Sequence, residues 1–461
     1  MVRCLLRLRR MDSIPLVARD LEVPALGPLA YPSPLPLTSR AGDGRAHFVH
    51  DGARVALDVE HEAGAGPSLL LEKAGPRSGL FFDPARMRVG VVTCGGLCPG
   101  INNVVRALVL ELHHRYGVRS ILGFRYGFEG LDPASGLEPV TLGPDEVRAI
   151  HKQGGSVLGL SRGRHDVGAI VDTLVAREVD VVFTIGGDGT LRGAMAIQQE
   201  IARRGLLIGV VAVPKTIDND IPFVDKTFGF DTAVELARTA IDAAHVEATG
   251  ARNGVGLVKL MGRDSGFIAA AATLASVDVN VCLVPEVSFE VDGETGLFAS
   301  LERRLRARSH AVIVVAEGCG ASLVARTTER DASGNVRYAS VAADIGMHLR
   351  DTIGDHFRAR AMPITLKYID PSYMVRAVAA NASDSLLCDA LGRHAVHAAV
   401  AGKTSVVIGR VHGVFTHVPL AVATRSAKRI DPEGEYWLSV VEATGQPSFR
   451  RGTEAAMPGK S

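Results

Sequence analysis

Two carboxylates, a lysine and a threonine lie close together in the segment Pro-Lys-Thr-Ile-Asp-Asn-Asp at residues 214–220. An alcohol that attacks a phosphoryl group needs a base for its proton and positive charge for the phosphate oxygens. Asp218 and Asp220 could divide the tasks of base and positioning. Lys215 would supply positive charge, and Thr216 a hydroxyl. The segment therefore indicates phosphoryl transfer to an alcohol, and the alternative is a polar loop whose aspartates bind only their own backbone.

A second candidate is the segment Gly-Gly-Asp-Gly-Thr at residues 186–190, which follows a short apolar run. Backbone N–H groups at the start of a helix attract anions, and glycines let phosphate oxygens approach the chain closely. Asp188 by itself would repel a phosphate, but a Mg²⁺ ion between the carboxylate and the phosphates removes that conflict. The alternative is an ordinary strand-to-helix turn in which Asp188 caps the helix.

Two further glycine loops lie at residues 93–102 and 154–163. The first is not a dinucleotide-binding fingerprint, because Leu97 stands where the second glycine of that pattern is required. The second ends in Arg162, whose guanidinium could bind phosphate oxygens through two hydrogen bonds. The structural alternative for the first loop is an ordinary turn. The alternative for Arg162 in the second loop is a solvated surface arginine.

Arg263 follows an apolar run in the segment Met-Gly-Arg at residues 261–263, and we expect it to open a helix. An arginine at that position is unfavourable for the helix dipole. Such a local conflict is typical of a functional residue, and a surface salt bridge is the alternative.

The elements that must position these residues alternate between short apolar runs and helix-like stretches from Met87 onward. This alternation predicts an α/β fold with parallel-rich sheets covered on both faces, and in such sheets ligands bind at the carboxyl ends of the strands. The predicted strands are residues 88–93, 180–185, 206–213, 255–260, 279–284 and 311–316, and the clearest predicted helices are 101–115 and 191–203.

Residues 1–86 are rich in proline and glycine and predict an N-terminal extension. Within it, alternating apolar residues after an Asp-Gly turn predict one strand pair at residues 47–60. The rest of the chain is divided into a nucleotide-binding lobe at 87–230, a sugar-phosphate-binding lobe at 231–370, and a segment at 371–461 that returns to the first lobe and ends in a tail.

Composition excludes several classes of protein. The net charge of +1 argues against a nucleic-acid partner, and no apolar run is long enough for a transmembrane helix. The six cysteines lack zinc-site spacing, which favours reduced thiols in a cytoplasmic enzyme. The basic first ten residues lack the apolar length of a secretory signal, and Met11 is a second candidate start.

In order and spacing, these motifs resemble the ATP-dependent 6-phosphofructokinase family from about Arg88 to near Val411. The Gly-Gly-Asp-Gly-Thr loop alone is weak, because NAD kinases and some lipid kinases carry a similar loop. The segment at residues 214–220, followed about forty residues later by Met-Gly-Arg, is far more specific. The resemblance implies two Rossmann-like lobes and transfer of a phosphoryl group from ATP to D-fructose 6-phosphate, with Mg²⁺ as cofactor.

The resemblance also implies individual roles. Asp218 would take the proton from the sugar O1 hydroxyl, Asp188 would bind Mg²⁺, and Arg376 would clamp the 6-phosphate. The implied nucleotide site comprises Gly96, Arg162, Gly163, Gly187, Asp188, Gly189, Thr190 and Lys215. The implied sugar-phosphate site comprises Thr216, Ile217, Asp218, Met261, Gly262, Arg263, Glu317, Tyr373, Met374, Val375 and Arg376.

Two positions bear on the phosphoryl donor. Gly189 favours ATP, because pyrophosphate-dependent members usually carry Asp there, whereas Lys215 resembles those members. The combination resembles the long ATP-dependent branch of plants and trypanosomatids. The alternatives are a pyrophosphate-dependent enzyme of the same fold, an NAD kinase, and a non-enzymatic nucleotide sensor.

The implied partners are fructose 6-phosphate and ATP, with neither nucleic acid nor a membrane, and the implied assembly is a cytoplasmic homotetramer. One departure concerns Gly254, which stands where the short bacterial enzymes carry a cross-subunit arginine. The resemblance therefore does not imply effector control of the bacterial type.

Overall fold

A computed structural model of the protein describes residues 15–40, 42–60, 68–163, 165–320, 323, 326–330, 336–338 and 344–449. The candidate start Met11 and Cys4 lie outside these ranges. The strands are β1 (Tyr31–Pro32), β2 (Arg54–Ala56), β3 (Leu70–Lys73), β4 (Gly79–Leu80), β5 (Arg88–Thr93), β6 (Ser120–Phe124), β7 (Val140–Thr141), β8 (Val181–Gly186), β9 (Gly209–Pro214), β10 (Gly254–Leu260), β11 (Val281–Leu283), β12 (His310–Ala316), β13 (Arg326–Arg330), β14 (Val336–Tyr338), β15 (Thr365–Ile369), β16 (Val406–Val411) and β17 (Val414–Pro419).

The helices are α1 (Ile101–Leu110), α2 (Val167–Ala176), α3 (Asp188–Arg203), α4 (Phe230–Thr249), α5 (Phe267–Ser276), α6 (Leu297–Arg308), α7 (Ile345–Ala359), α8 (Met374–Ala377), α9 (Ala382–Val400), α10 (Leu420–Ala423) and α11 (Glu435–Thr444). A wide turn at Glu111–Tyr116 extends α1, so the predicted helix at 101–115 is present. None of the helices in the described ranges is long and apolar enough to cross a bilayer.

The larger sheet has nine strands in the order β2-β3-β17-β16-β9-β8-β5-β6-β7. Its centre, from β16 to β6, is parallel, and its outer strands are antiparallel. The smaller sheet is parallel throughout, in the order β11-β12-β10-β15. Strands β8, β9 and β10 are buried along their whole length, which explains why their sequences are largely apolar. The predicted α/β class with parallel-rich sheets is confirmed.

The strand pair predicted within residues 47–60 is wrong. Within that stretch only β2 is a strand, and it pairs antiparallel with β3 further along the chain. Strand β3 in turn pairs with β17, so the extension adds two strands to one edge of the larger sheet. The burial of Leu71 on β3 explains this placement of the extension. Its side chain belongs to an apolar cluster that also includes residues of β16 and β17.

Five of the cysteines are free thiols buried in the protein, as predicted: Cys94, Cys98, Cys282, Cys319 and Cys388. Burial raises the pKa of Cys94 and of Cys98 to about 12. These two thiols are therefore protonated at neutral pH and are poor nucleophiles.

A buried ion cluster anchors the added strands. Glu72 on β3 accepts hydrogen bonds from Arg77 at 3.1 Å, from Lys403 at 2.9 Å, and contacts Nδ1 of His417 on β17 at 3.0 Å. Burial opposes ionisation of Glu72, but His417 and Lys403 together lower its pKa from 4.5 to about 2. The carboxylate is therefore charged at neutral pH and holds cations from both ends of the chain.

Replacing Glu72 with alanine is expected to destabilise the fold by about 3–5 kcal/mol, because buried cations lose their counter-charge. The folded-state pKa is depressed, so this stabilisation is present above pH 4.5 and is lost as the pH falls toward about 2. Thermal unfolding at neutral pH would measure the difference. Glu138→Ala, which breaks an exposed pair with Arg177, is the control and should change stability by less than about 1 kcal/mol. Equal effects of the two variants would contradict the anchoring role.

Candidate active site

The loops that follow β5, β8 and β9 meet at one edge of the larger sheet, because these strands are parallel neighbours. The N–H of Lys215 donates to the carbonyl of Gly186 at 2.9 Å, which joins the second and third loops. The ammonium of Lys215 donates to the carbonyl of Gly96 at 2.8 Å, which joins the third loop to the first. Three of the predicted motifs therefore form one surface.

The glycine loop at residues 154–163 is fixed against the first loop. Asn102 at the start of α1 donates to the carbonyl of Gln153 at 3.1 Å and accepts from the N–H of Val157 at 2.9 Å. This contact brings Arg162 beside Gly96, where a Cβ atom would lie 2.6 Å from Nη2 of the arginine. These two predicted nucleotide-site residues therefore lie side by side, and a side chain at position 96 would displace the guanidinium of Arg162.

Lys215 is buried beneath these loops. Burial is the largest influence on its ammonium and lowers its pKa, and the charge of Arg162 lowers it further, while Asp218 acts in the opposite direction. Two cations therefore lie close together, a combination that suits a site for phosphate oxygens.

The segment at residues 186–190 opens α3, which begins at Asp188 rather than at the predicted Leu191. Gly187 is the N-cap, so the alternative in which Asp188 caps the helix is not what the structure shows. The carboxylate of Asp188 is about half exposed and bonds Nε of Arg192 at 3.0 and 3.1 Å. Gly189 and Thr190 lie in the first turn, with backbone N–H groups at the positive end of the helix dipole.

The turn that carries the two aspartates is held from several sides. The N–H of Asp218 donates to Oγ1 of Thr216 at 3.1 Å, and Asn219 adopts a left-handed conformation with φ +54°. Ser265, which follows the smaller sheet's β10, donates to the carbonyl of Asp218 at 2.9 Å. Oδ1 of Asp218 and Oδ1 of Asp220 are buried without a hydrogen-bond partner in the described part of the chain. These two oxygens are therefore available for a ligand.

Both aspartates are less acidic than usual. Burial raises the pKa of Asp218 well above its ordinary range, and the carboxylates of Asp220 and Glu317 raise it further, against the opposing charges of Arg263 and Lys215. Burial also raises the pKa of Asp220, and the negative charge of Asp188 adds to the effect. A carboxylate with a raised pKa is a stronger base than an ordinary aspartate.

The prediction that Arg263 opens a helix is wrong. Helix α5 begins four residues later, at Phe267, and its N-cap Gly266 donates its N–H to both carboxylate oxygens of Glu286 at 3.0 and 3.1 Å. Gly262 has φ +125°, a conformation open to glycine, and turns the chain so that Arg263 lies in a loop. The expected conflict with the helix dipole therefore does not arise, and Arg263 instead acts on Asp218 and Glu317.

Glu317 follows β12, as predicted, and its N–H donates to the carbonyl of Leu260 on β10 at 2.8 Å. Burial raises its pKa, whereas Arg263, Lys259 and Arg376 oppose that rise. The loops after β10 and β12 thus bring Met261, Gly262, Arg263 and Glu317 to the edge of the smaller sheet that faces the aspartate turn.

The predicted segment at residues 373–376 lies beside the same site. Arg376 ends in a guanidinium 4.7 Å from the ring centre of Tyr373, and its charge reaches Glu317. Tyr373 and Met374 are exposed, whereas Val375 is buried and anchors α8. Gly154 packs against the carbonyl of Ala377, so this segment also touches the second glycine loop.

Several residues near the site were missed in the sequence. Lys259 in β10 forms ion pairs with Asp344 and, at 2.7 Å, with Asp370. Its charge also opposes the rise in the pKa of Glu317. A charged residue inside an otherwise apolar strand was a signal that could have revealed it. Lys428 contacts the aspartate turn from near the C-terminus, and no local pattern in the sequence marks it.

Comparison with known proteins gives a consistent result. The family model described as Phosphofructokinase matches residues 88–399. An "ATP-dependent 6-phosphofructokinase" of Borreliella burgdorferi is 45% identical over 438 residues, covering 93% of this chain and 97% of that protein. The protein of the same name from Amycolatopsis methanolica is 47% identical and covers 93% and 95%, and that of Trypanosoma brucei brucei is 43% identical and covers 92% and 87%.

Solved structures show the same fold at lower identity. A pyrophosphate-dependent phosphofructokinase from Marinobacter aquaeolei is 20% identical with a TM-score of 0.63, covering 81% of this chain and 95% of that one. Phosphofructokinase from Pichia pastoris in the T-state is 21% identical with a TM-score of 0.59, covering 73% and 35%.

Proposed function

The chain belongs to the phosphofructokinase family, and on that premise we propose that it phosphorylates D-fructose 6-phosphate at the 1-hydroxyl with ATP and Mg²⁺. The products are fructose 1,6-bisphosphate and ADP, and the reaction belongs to glycolysis. The observation that carries the proposal is the buried Asp218 carboxylate, which faces cations from both sheets: Lys215 from the larger and Arg263 from the smaller.

The base is Asp218. Its raised pKa favours uptake of the proton from the sugar O1 hydroxyl as that oxygen attacks the γ-phosphoryl group. Arg263 and Arg376 bind the 6-phosphate end of the sugar, where paired guanidinium groups suit a phosphate. Glu317 accepts hydrogen bonds from sugar hydroxyls. The other predicted sugar-phosphate residues surround the same site, with Val375 buried behind it.

The nucleotide lies on the glycine loops of the larger sheet. The first turn of α3, from Gly187 to Thr190, receives the phosphates through its dipole and its first N–H groups, while the N–H of Thr190 donates to the carbonyl of Gly187 at 2.9 Å. Gly96 leaves room for them, while Arg162, Gly163 and Lys215 complete the site. The charge of Arg162 neutralises phosphate oxygens without taking part in proton transfer.

The acidic residues fit Mg²⁺. Magnesium in phosphoryl-transfer sites is bound by one or two carboxylates together with phosphates and water. Asp188 supplies an accessible carboxylate, and the neighbouring Asp220 has a buried Oδ1 without a hydrogen-bond partner among the described residues. A bound Mg²⁺ would offset the negative charge that gathers on the phosphates.

The phosphoryl donor is tested by assaying the purified protein with fructose 6-phosphate and either ATP or pyrophosphate. We expect turnover with ATP and at most about 1% of that rate with pyrophosphate, a difference of about 2.7 kcal/mol in the barrier. Gly189→Asp should abolish most ATP turnover, because a carboxylate in the first turn of α3 repels and crowds the phosphates. Activity with pyrophosphate alone would establish the rival donor instead.

The same assay addresses the other rivals. An NAD kinase would turn over NAD and leave fructose 6-phosphate unchanged, and a nucleotide sensor would bind ATP without turnover. Glu317 and Arg376 favour the sugar phosphate, because Glu317 follows β12 of the smaller sheet and the charge of Arg376 acts on it.

The assembly and the location stay predictions: a cytoplasmic homotetramer that binds neither nucleic acid nor a membrane. Light scattering coupled to size-exclusion chromatography of the purified protein measures the assembly directly. A mass near four times 48.7 kDa is the expected result, and a monomer would contradict it.

A further inference from the structure

A short segment near the C-terminus crosses the site from one sheet to the other. Residues 425–430, here called the strap, lie between α10, which follows the larger sheet, and α11, which packs on α5 beside the smaller sheet. At its start Arg425 bonds Asp20 at 3.1 Å. At its end the N–H of Ile430 donates to Glu286 at 3.0 Å, the same carboxylate that holds the start of α5. The strap is therefore anchored on both sides of the cleft.

Lys428, in the middle of the strap, bonds both the aspartate turn and the segment that follows it. Its N–H donates to the carbonyl of Asp220 at 2.7 Å. Its ammonium donates to the carbonyls of Val224 at 2.9 Å and Asp225 at 3.2 Å. One residue thus fixes both ends of the stretch that follows the proposed base.

The Lys428 ammonium also contacts a residue on the smaller sheet's side of the cleft. It lies 5.2 Å from the ring centre of Phe267, the first residue of α5, which is within the range of a cation–π contact. Because Ser265 just before α5 holds the carbonyl of Asp218, the turn is clamped between α5 and the strap. Removing the ammonium would leave the carbonyls of Val224 and Asp225, just after the turn, without this donor.

We propose that Lys428 is a positioning residue for phosphoryl transfer, which fixes the turn of Asp218 and Asp220 so that the base faces the reacting hydroxyl. The expected effect of Lys428 on turnover rests on the proposed function, whereas its expected effect on the position of the turn does not. A displacement of about 1 Å at a catalytic group can cost about 100-fold in rate. A loosened turn would therefore lower kcat more than it weakens substrate binding.

The test compares three variants of the full-length protein. Lys428→Met removes the ammonium and keeps the backbone bond to Asp220, Lys428→Arg restores a cation, and Arg429→Met removes the neighbouring exposed charge as a control. For Lys428→Met we expect kcat to fall about 10- to 100-fold, with KM for fructose 6-phosphate within about threefold of wild type. Lys428→Arg should recover most of kcat, and Arg429→Met should resemble wild type.

Hydrogen–deuterium exchange of peptides from residues 216–226 separates this inference from the proposed function. Faster exchange there in Lys428→Met, but not in Arg429→Met, supports the clamp even if the wild type fails to phosphorylate fructose 6-phosphate. Unchanged exchange, an unchanged kcat in an active enzyme, or an equal loss in Arg429→Met would overturn it. A loss that Lys428→Arg fails to recover would also overturn it, because the role requires a cation.

Discussion

Asp218→Asn is expected to lower kcat by about 10²–10⁴-fold, the range that general-base catalysis contributes. The amide keeps the volume and the hydrogen-bonding shape of the carboxylate but cannot accept the proton of the attacking hydroxyl. The backbone N–H of Asp218 bonds the hydroxyl of Thr216, and its backbone carbonyl bonds the hydroxyl of Ser265. Because neither bond uses the side chain of Asp218, the turn itself should survive the change. Steady-state kinetics with ATP and fructose 6-phosphate measure the loss.

The control for this substitution is Asp172→Asn, which changes a surface carboxylate paired with Arg204. It should leave kcat near wild type, and both variants should unfold at nearly the same temperature as wild type. A turnover of Asp218→Asn within a few fold of wild type would show that another group takes the proton.

The direction in which the wild-type rate changes with pH follows from Asp218. A base works when deprotonated, and the pKa of Asp218 lies well above 3.8 because of burial and the nearby carboxylates. The rate should therefore fall as the pH drops through that raised pKa, well above the range in which an exposed aspartate titrates. In Asp218→Asn this acid limb should disappear from the residual activity.

Much of the fold could be predicted from the sequence because its strands have strong local patterns. The candidate site followed partly from motifs at the ends of those strands and partly, as for Glu317 and Arg376, from the family resemblance. Strand β5 was predicted with its observed bounds, and the loops after β8, β9, β10 and β12 each carry a predicted site residue. Parallel strands bring their carboxyl ends to a common edge, so a local pattern was enough to place distant motifs together.

What could not be predicted depends on contacts between distant parts of the chain. The partner of β2 is β3, whose other neighbour β17 lies near the opposite end of the sequence. Lys428 has no local motif, and its role arises from bonds to a turn some two hundred residues earlier. The start of α5 was misplaced because its N-cap is held by Glu286, a residue from the next strand region rather than from the helix itself.

Arg263→Met is expected to lower kcat/KM for fructose 6-phosphate by about 100-fold or more, since it removes a charged partner of a buried anion. Methionine keeps much of the length and the apolar stem of the side chain. KM for fructose 6-phosphate should rise, whereas KM for ATP should change little, because Arg263 lies on the smaller sheet's side of the cleft. Kinetics with each substrate varied in turn measure both effects.

The same variant should also change the pH profile, in a direction set by the carboxylates around Arg263. Burial raises the pKa of Asp218 and of Glu317, and Arg263 is the first of the opposing influences on each. Without the guanidinium both pKa values rise further, so a smaller fraction of Asp218 is deprotonated at a given pH. The acid limb should move to higher pH, and the loss of activity should be greatest in acid and smallest in alkaline solution.

Arg376→Met separates the two roles of Arg263. The charge of Arg376 acts on Glu317, and its guanidinium stacks on Tyr373, so its removal should raise KM for fructose 6-phosphate and leave the acid limb of kcat in place. If Arg263→Met behaves in the same way, Arg263 binds substrate without tuning the base. If Arg263→Met moves the limb and Arg376→Met does not, the base depends on a cation from the smaller sheet.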